Sequence, residues 1–265
     1  MLSQTLKILI QTALGRAIFS LGLHKHVGAD QGVVVAFHRV FREPDETGLT
    51  ISPELFDEFC SLFSQYFKVV SLTQFVERLE QGESVGGMLA ITFDDGYRDN
   101  YEVAAPILKR WSLPATFFVT TKFIGTDVVP FWDKEAGVSF PWMSWEQVRS
   151  LHAQGFEIGA HTRHHVDLGQ AEGDLAREEI HGSRTDIESQ LGTAVRLFAY
   201  PFGRPTQISE ANRELVKAAG FRCCCSCFGG INTRLTNSFG IQRVAMSPWF
   251  QSPFHFAFQT ALSRL

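Results

Sequence analysis

Two adjacent carboxylates stand in the run Thr92-Phe93-Asp94-Asp95-Gly96-Tyr97. Acids this close repel once taken out of water, so a cation or a shared proton has to hold them there. The plainer reading is a turn, for which Asp-Gly is common chemistry. A second run, His161-Thr162-Arg163-His164-His165, holds three imidazoles. Spacing of four places His161 and His165 on one side of a helical turn, where both can meet one zinc-type ion. A carboxylate from the first run would complete a two-histidine, one-carboxylate set. A third run, Phe198-Ala199-Tyr200-Pro201-Phe202-Gly203, reads as a rigid turn with backbone N–H groups facing a site.

Each run follows an apolar stretch that must position it. Val33–Phe37, Met88–Phe93, Ala115–Thr120, Phe156–Gly159, Val195–Tyr200 and Phe221–Cys225 read as strands, with Lys68–Val70 short and Ile241–Ala245 last. Between them lie helical patterns at Pro53–Tyr66, Leu72–Gln81, Asn100–Trp111 (carrying Pro106), Leu175–Leu191 and Ser209–Ala219. Another helix opens on a Ser144/Gln147 capping box and runs to about Gln154. Strands alternating with helices imply parallel β/α units. The expected fold is a single distorted (β/α) barrel of about seven to eight strands, spanning residues 30–250. Residues 1–29 form a helical segment before it and residues 251–265 an extension after it. In such a barrel the site lies at the C-terminal strand ends, where all three runs fall.

The chain has 265 residues, 45% hydrophobic and 20% charged, which excludes disordered, collagen-like and disulfide-scaffold classes. A net charge of -4 argues against a nucleic-acid partner. No apolar run reaches the ~18–20 residues of a membrane span. The first 29 residues hold Lys7, Arg16 and Lys25 and no acid, with Leu2, Leu6, Leu9, Ile10, Ala13, Leu14, Ala17, Ile18 and Leu21 at helical spacing. Gln11 and Thr12 interrupt what a cleavable signal would need. Residues 1–25 are therefore either a helix packed on the barrel or a cationic helix lying on a membrane surface. Four of the five cysteines, Cys223, Cys224, Cys225 and Cys227, crowd one strand. Neighbours on a strand point to opposite faces, so they read as small apolar filler, and free thiols suggest a reducing compartment. The expected location is cytoplasmic, or peripheral on the cytoplasmic membrane face.

The motifs resemble those of the polysaccharide deacetylases, the NodB-homology group of carbohydrate esterase family four. Thr92–Tyr97 matches the T-F-D-D-G motif, His161–His165 matches H-[ST]-x-x-H, and Phe198–Gly203 resembles the third motif. The resemblance implies a metal-dependent hydrolase that removes acetyl from an N-acetylated sugar polymer or glycan precursor. It implies Asp95, His161 and His165 as ligands of one divalent ion, by default zinc, with Asp94 as general base and the Phe202 N–H as oxyanion donor. Two departures stand out. Ala199 occupies the place of the usual arginine that partners the base, so Arg98 or Arg243 is expected instead. The usual C-terminal L-x-H acid is absent, and the surroundings of His255 do not match it. The run Phe37-His38-Arg39-Val40 resembles instead the start of a circularly permuted subgroup that includes poly-N-acetylglucosamine deacetylases. That makes His38 the expected general acid, its charge held by a carboxylate or carbonyl on the other ring nitrogen. Asp167 is a candidate hydrogen-bond partner of a ligand histidine, and His164 is not expected to be a ligand. Trp132 and Trp142 are candidates for stacking on a sugar ring, as are Trp145 and Trp249. Two rival readings are a deacylase of a lipid-linked or nucleotide-linked sugar at the membrane face and a non-catalytic glycan-binding barrel.

Overall fold

A computed structural model describes residues 3–25, 30–43, 45–171 and 173–262. In chain order its elements are α1 (Gln4–Ser20), β1 (Gly32–Phe37), β2 (Arg39–Val40), β3 (Thr50–Ile51), α2 (Pro53–Tyr66), β4 (Lys68–Val69), α3 (Leu72–Glu80), β5 (Met88–Phe93), α4 (Ala105–Arg110), β6 (Thr116–Val119) and α5 (Phe131–Glu135). There follow α6 (Trp145–Ala153), β7 (Glu157–Ala160), α7 (Gly173–Leu191), β8 (Leu197–Ala199), α8 (Glu210–Ala218), β9 (Cys223–Cys225), β10 (Ile231–Asn232), β11 (Val244–Ala245) and α9 (Pro253–Leu262).

β1 and β5 are apolar over most of their length and buried at every residue, as strands covered on both faces must be. They pair in parallel, Val33 opposite Leu89 and Phe37 opposite Phe93. From β5 the sheet continues in parallel through β6, β7 and β8 to β9. β10 pairs antiparallel with β1, on the side away from β5. The stretch 241–245 then ties the two ends together. Ile241 bridges Cys225, while Val244 and Ala245 pair with Val35 and Ala36. The sheet thus curls on itself as a distorted barrel, and residue 38 emerges beside residue 94.

Strand alternation divides the apolar residues. Val35, Phe37, Ile91, Phe93 and Phe117 face the surrounding helices. Val34, Ala90, Phe118, Leu197, Ala199, Cys223, Cys225 and Ile241 form a second cluster with α3, whose Leu72, Phe75, Val76 and Leu79 pack into it. Ala90, Ala199, Cys223 and Cys225 are the small members on the strand side of that cluster. Cys223 and Cys225 fill it, Cys224 belongs to the other face, and all five cysteines are free thiols.

Helix starts follow their capping residues: both reciprocal bonds of the Ser71/Gln74 and Ser144/Gln147 boxes are present. The helix expected over Asn100–Trp111 is divided. Asn100–Ala104 is a π-helical turn, and α4 begins at Ala105 with Pro106 in its first turn. Proline has no N–H to continue an upstream ladder, so the regular helix restarts there. The N-terminal helix ends at Ser20 rather than at residue 25, and a short 3₁₀ turn, Leu23–Lys25, follows. Leu2 lies outside the described residues. No helix among them is long and apolar enough to cross a membrane.

Candidate active site

The site is built where parallel strands stop. The Asp94 N–H donates to the Phe37 carbonyl (2.9 Å), extending the β1–β5 ladder by one bond. The chain then turns sharply. Asp95 is left-handed (φ 73°) and Gly96 follows at φ 94°, where a methyl group would lie 2.8 Å from Ile124. Beyond β7 the second motif is a loop, not the helical turn its spacing suggests. Thr162 (φ 61°) and His165 (φ 56°) are both left-handed, and this folding brings the two imidazoles together. Among the described residues five non-glycines have such a φ, and Asp95, Thr162, His165 and Phe202 are four of them. Backbone strain is thereby concentrated at one place, a pattern of functional sites.

Asp95 Oδ1 lies 3.4 Å from His161 Nε2 and 3.3 Å from His165 Nε2. One donor atom from each of the three residues falls within 4.8 Å of the others. The His161 Nδ1–H donates to the Ala199 carbonyl (2.9 Å), which leaves the Nε2 lone pair aimed at Asp95. Asp95 Oδ1 and His161 Nε2 are nevertheless buried without a hydrogen-bond partner. Buried acceptors converging on one point are costly unless a cation meets them, so these residues fit a divalent ion. Burial raises the Asp95 pKa, but the two imidazoles outweigh it and hold the carboxyl well below its ordinary value.

Asp94 faces a different partner. Arg243 grips it with both ends of its guanidinium, Nη1 to Oδ1 at 2.8 Å and Nη2 to Oδ2 at 2.7 Å. Arg243 is itself fully buried, bonded to Thr92 Oγ1 (3.0 Å) and the Ser226 carbonyl. Desolvation pushes the Asp94 pKa up, and Arg243 and His161 bring it net below the usual carboxylate range. Of the two expected partners, Arg98 is excluded: it is exposed and donates from Nε to the Trp142 carbonyl.

His38 lines the same cavity, of about 600 Å³, as Asp94, Asp95, His161, His165 and Phe202. His255 lies elsewhere, buried in α9 against Trp249 and Phe250. The expected charge-holding partner of His38 is absent: Nδ1 is buried with no hydrogen bond, and burial lowers the pKa despite the nearby Asp95 and Asp94. What is held is the His38 backbone. Asn100 Nδ2 donates to its carbonyl (2.8 Å), and Asp99 Oδ1 accepts from the Val40 N–H (2.7 Å) and from Asn100 Nδ2 (3.1 Å). Phe202 (φ 58°) sets its ring against His165, with centroids 4.8 Å apart.

Asp167 and Trp142 depart from expectation, whereas Trp132 and His164 lie as expected. Asp167 touches neither ligand histidine; it accepts from the Gly169 N–H (2.8 Å) and Gln207 Nε2 (3.1 Å), closing its own turn. Trp142 is 1% exposed, stacked on Tyr97 at 4.3 Å and bonded to the Val128 carbonyl, so it has no face for a sugar. Trp132 does line the cavity, 4.6 Å from the His165 ring. His164 is held by Glu179 (2.6 Å), away from the triad.

Sequence reasoning missed the network behind Trp132. Arg39, fully buried, donates to Asp133 (2.6 Å), Asp45 and Thr50 and lies over the Tyr97 and Phe140 rings. The Tyr97 hydroxyl donates to Asp133 Oδ2 (3.1 Å) and accepts from Trp132 Nε1 (2.9 Å). One guanidinium therefore ties two walls of the cavity together, the loop carrying Glu46 and Thr47 and the short helix α5. The signal was present, because an arginine directly after a buried strand needs buried acids.

A curled parallel sheet with an Asp-His-His cluster at its strand ends defines a class, and comparison with known proteins gives it a name. The polysaccharide deacetylase family model matches residues 81–224, and the chain belongs to that family. It is 29% identical over 161 residues to YxkH of Bacillus subtilis, assigned to the polysaccharide deacetylases, covering 60% of this chain and 51% of that protein. It is 23% identical over 189 residues to the poly-β-1,6-N-acetyl-D-glucosamine N-deacetylase of Staphylococcus aureus, covering 68% and 61%. The chain thus spans about half to three fifths of these curated relatives. The Streptococcus pyogenes deacetylase PplD, solved with acetate, superposes with a TM-score of 0.72 at 22% identity over 85% of this chain and 96% of that one. The shared fold is the curled barrel itself.

Proposed function

We propose that the protein removes N-acetyl groups from an N-acetylated sugar polymer or glycan precursor by metal-assisted hydrolysis. One observation carries the reading: two adjacent carboxylates have separate partners. Asp95 points at two imidazoles, and Asp94 is held ionised by Arg243 beside them. A binding protein has no need of that second, ionised acid. Asp95, His161 and His165 would hold a divalent ion, by default zinc, which when bound would lower the pKa of water toward ~7 and polarise the acetyl carbonyl. Asp94 accepts the proton of the attacking water. The Phe202 N–H donates to the oxygen that gains charge, a contribution of roughly 10²–10³ in rate for such a donor. His38 delivers a proton to the sugar nitrogen as the C–N bond breaks, leaving acetate and a free amine.

The name of the Staphylococcus aureus relative supports an N-acetylglucosamine polymer as the first substrate to test. The cavity wall of Phe131, Trp132 and Phe202 offers aromatic faces to a sugar ring, with Glu46 and Glu135 as polar neighbours. The test is acetate release from N-acetylglucosamine oligomers by protein stripped with chelator and reloaded with zinc. Release that tracks bound metal is expected. No release from any N-acetylated sugar or polymer, with any divalent ion, would sink the proposal and leave a glycan-binding barrel. The reading also includes attachment at a membrane surface through residues 1–25, for which the exposed face of α1 is the relevant feature.

A further inference from the structure

Helix α1 is joined to the body along one face only. Ile8, Gln11, Thr12, Gly15, Ile18 and Phe19 turn inward, with Gly15 and Phe19 fully buried. A methyl group at Gly15 would overlap the Phe254 carbonyl oxygen, so α1 and α9 touch backbone to backbone. Thr12 Oγ1 lies 3.2 Å from Ser252 Oγ, and the Phe19 ring packs on Tyr66 and Phe67. These contacts fix which side of the helix faces out.

At 100° per residue the opposite side is formed by Leu6, Leu9, Ile10, Ala13, Leu14, Ala17 and Leu21. All are exposed, Leu9 by 61% and Leu21 by 72%. Lys7 borders this stripe on one side and Arg16 on the other, and both are exposed. A helix with apolar residues on both faces and cations at the borders of the outer one is not a surface designed for water alone. Its partner must be apolar in the middle and anionic along both edges. A second copy meets only the first condition, because it would bring two more cations and no acid from residues 1–29 to the edges of the stripe. Resting on the membrane attachment included in the proposed function, we propose that α1 lies in the interfacial plane of a bilayer containing anionic lipid. The leucine stripe enters the acyl boundary, and Lys7 and Arg16 meet headgroup phosphates.

The test is flotation of the full chain with vesicles of phosphatidylcholine alone and of phosphatidylcholine mixed with phosphatidylglycerol. Strong co-flotation is expected only with the mixed vesicles. Leu9→Gln combined with Leu14→Gln should lower partitioning at least about ten-fold. Lys7→Gln combined with Arg16→Gln should lower it roughly twenty-five-fold on the anionic vesicles, at about five-fold per cation. Melting temperature and acetate release from a soluble oligomer should not change in the leucine variant. The proposal is overturned if the full chain floats with neither vesicle, or if the leucine variant floats as well as the parent. It is equally overturned if that variant melts lower, showing that the stripe packs on the body. A dimer formed without lipid and broken by the leucine changes would assign the stripe to a second copy.

Discussion

Asp94 and Asp95 are neighbours in sequence and opposites in environment. Their separation rests on one arginine that no motif position announced. With Arg243→Met, Asp94 loses both charge-assisted bonds while staying buried. Removing one partner of a buried pair costs about 3–5 kcal/mol, to be read by denaturant unfolding. The sign of the pH effect follows from the same balance. Burial alone raises the Asp94 pKa, so without Arg243 the base form appears only at higher pH, and the acid limb of the pH–rate profile should move up. His38 carries a second expectation. His38→Ala should retain metal and lose most hydrolysis of an amide, whose nitrogen must be protonated to leave. It should lose much less on an activated ester, whose leaving group needs no proton. Equal losses on both substrates would move the acid elsewhere.

The site's elements are strand ends, and each is pinned by a buried polar group. Asp99 pins β2, just beyond the end of β1, through Val40 at the expense of its own ionisation: burial raises its pKa to about 7, and its hydrogen bonds offset this only in part. Near pH 3 and below the carboxyl is largely protonated in folded and unfolded chains alike. As pH rises toward 7 the unfolded chain gives up that proton and the folded chain keeps it, so this group lowers stability progressively over that window. Asp99→Asn keeps the acceptor for Val40 and removes the charge. The variant should match the parent near pH 3 and exceed it at pH 8, by a few kcal/mol at most, in unfolding measured at both values. A constant difference across pH would contradict this account of Asp99. The strands themselves were legible because β1 and β5 are apolar runs that end at charged motifs, and the helix starts because Ser71 and Ser144 are followed by Gln at the third position. The triad was legible by resemblance, although the helical-turn route to it was wrong. Spacing cannot show that Thr162 and His165 adopt left-handed backbone, since that conformation is imposed by the loop's tertiary ties. Trp142, Asp167 and Arg98 were misread for a related reason: their roles are set by which way a loop side chain turns, and periodicity carries no information on that.

At the scale of the molecule, the barrel holds three acceptors against one another, and an ion relieves that arrangement only in the folded chain. Zinc at a hundred times its Kd should stabilise the fold by about 2.7 kcal/mol. For a chain of this size that raises Tm by roughly 5–10 °C. Asp95→Ala should abolish the shift, and a shift that survives it would place the ion at another site. The central claim is that Asp94 acts on water beside an ion it does not hold. It is tested most directly by zinc content and acetate release measured together in Asp94→Asn and the parent. The account predicts equal zinc, one ion per chain, with acetate release lowered about 10²–10⁴-fold in the variant. Release near the parent rate, or loss of the zinc itself, would contradict it.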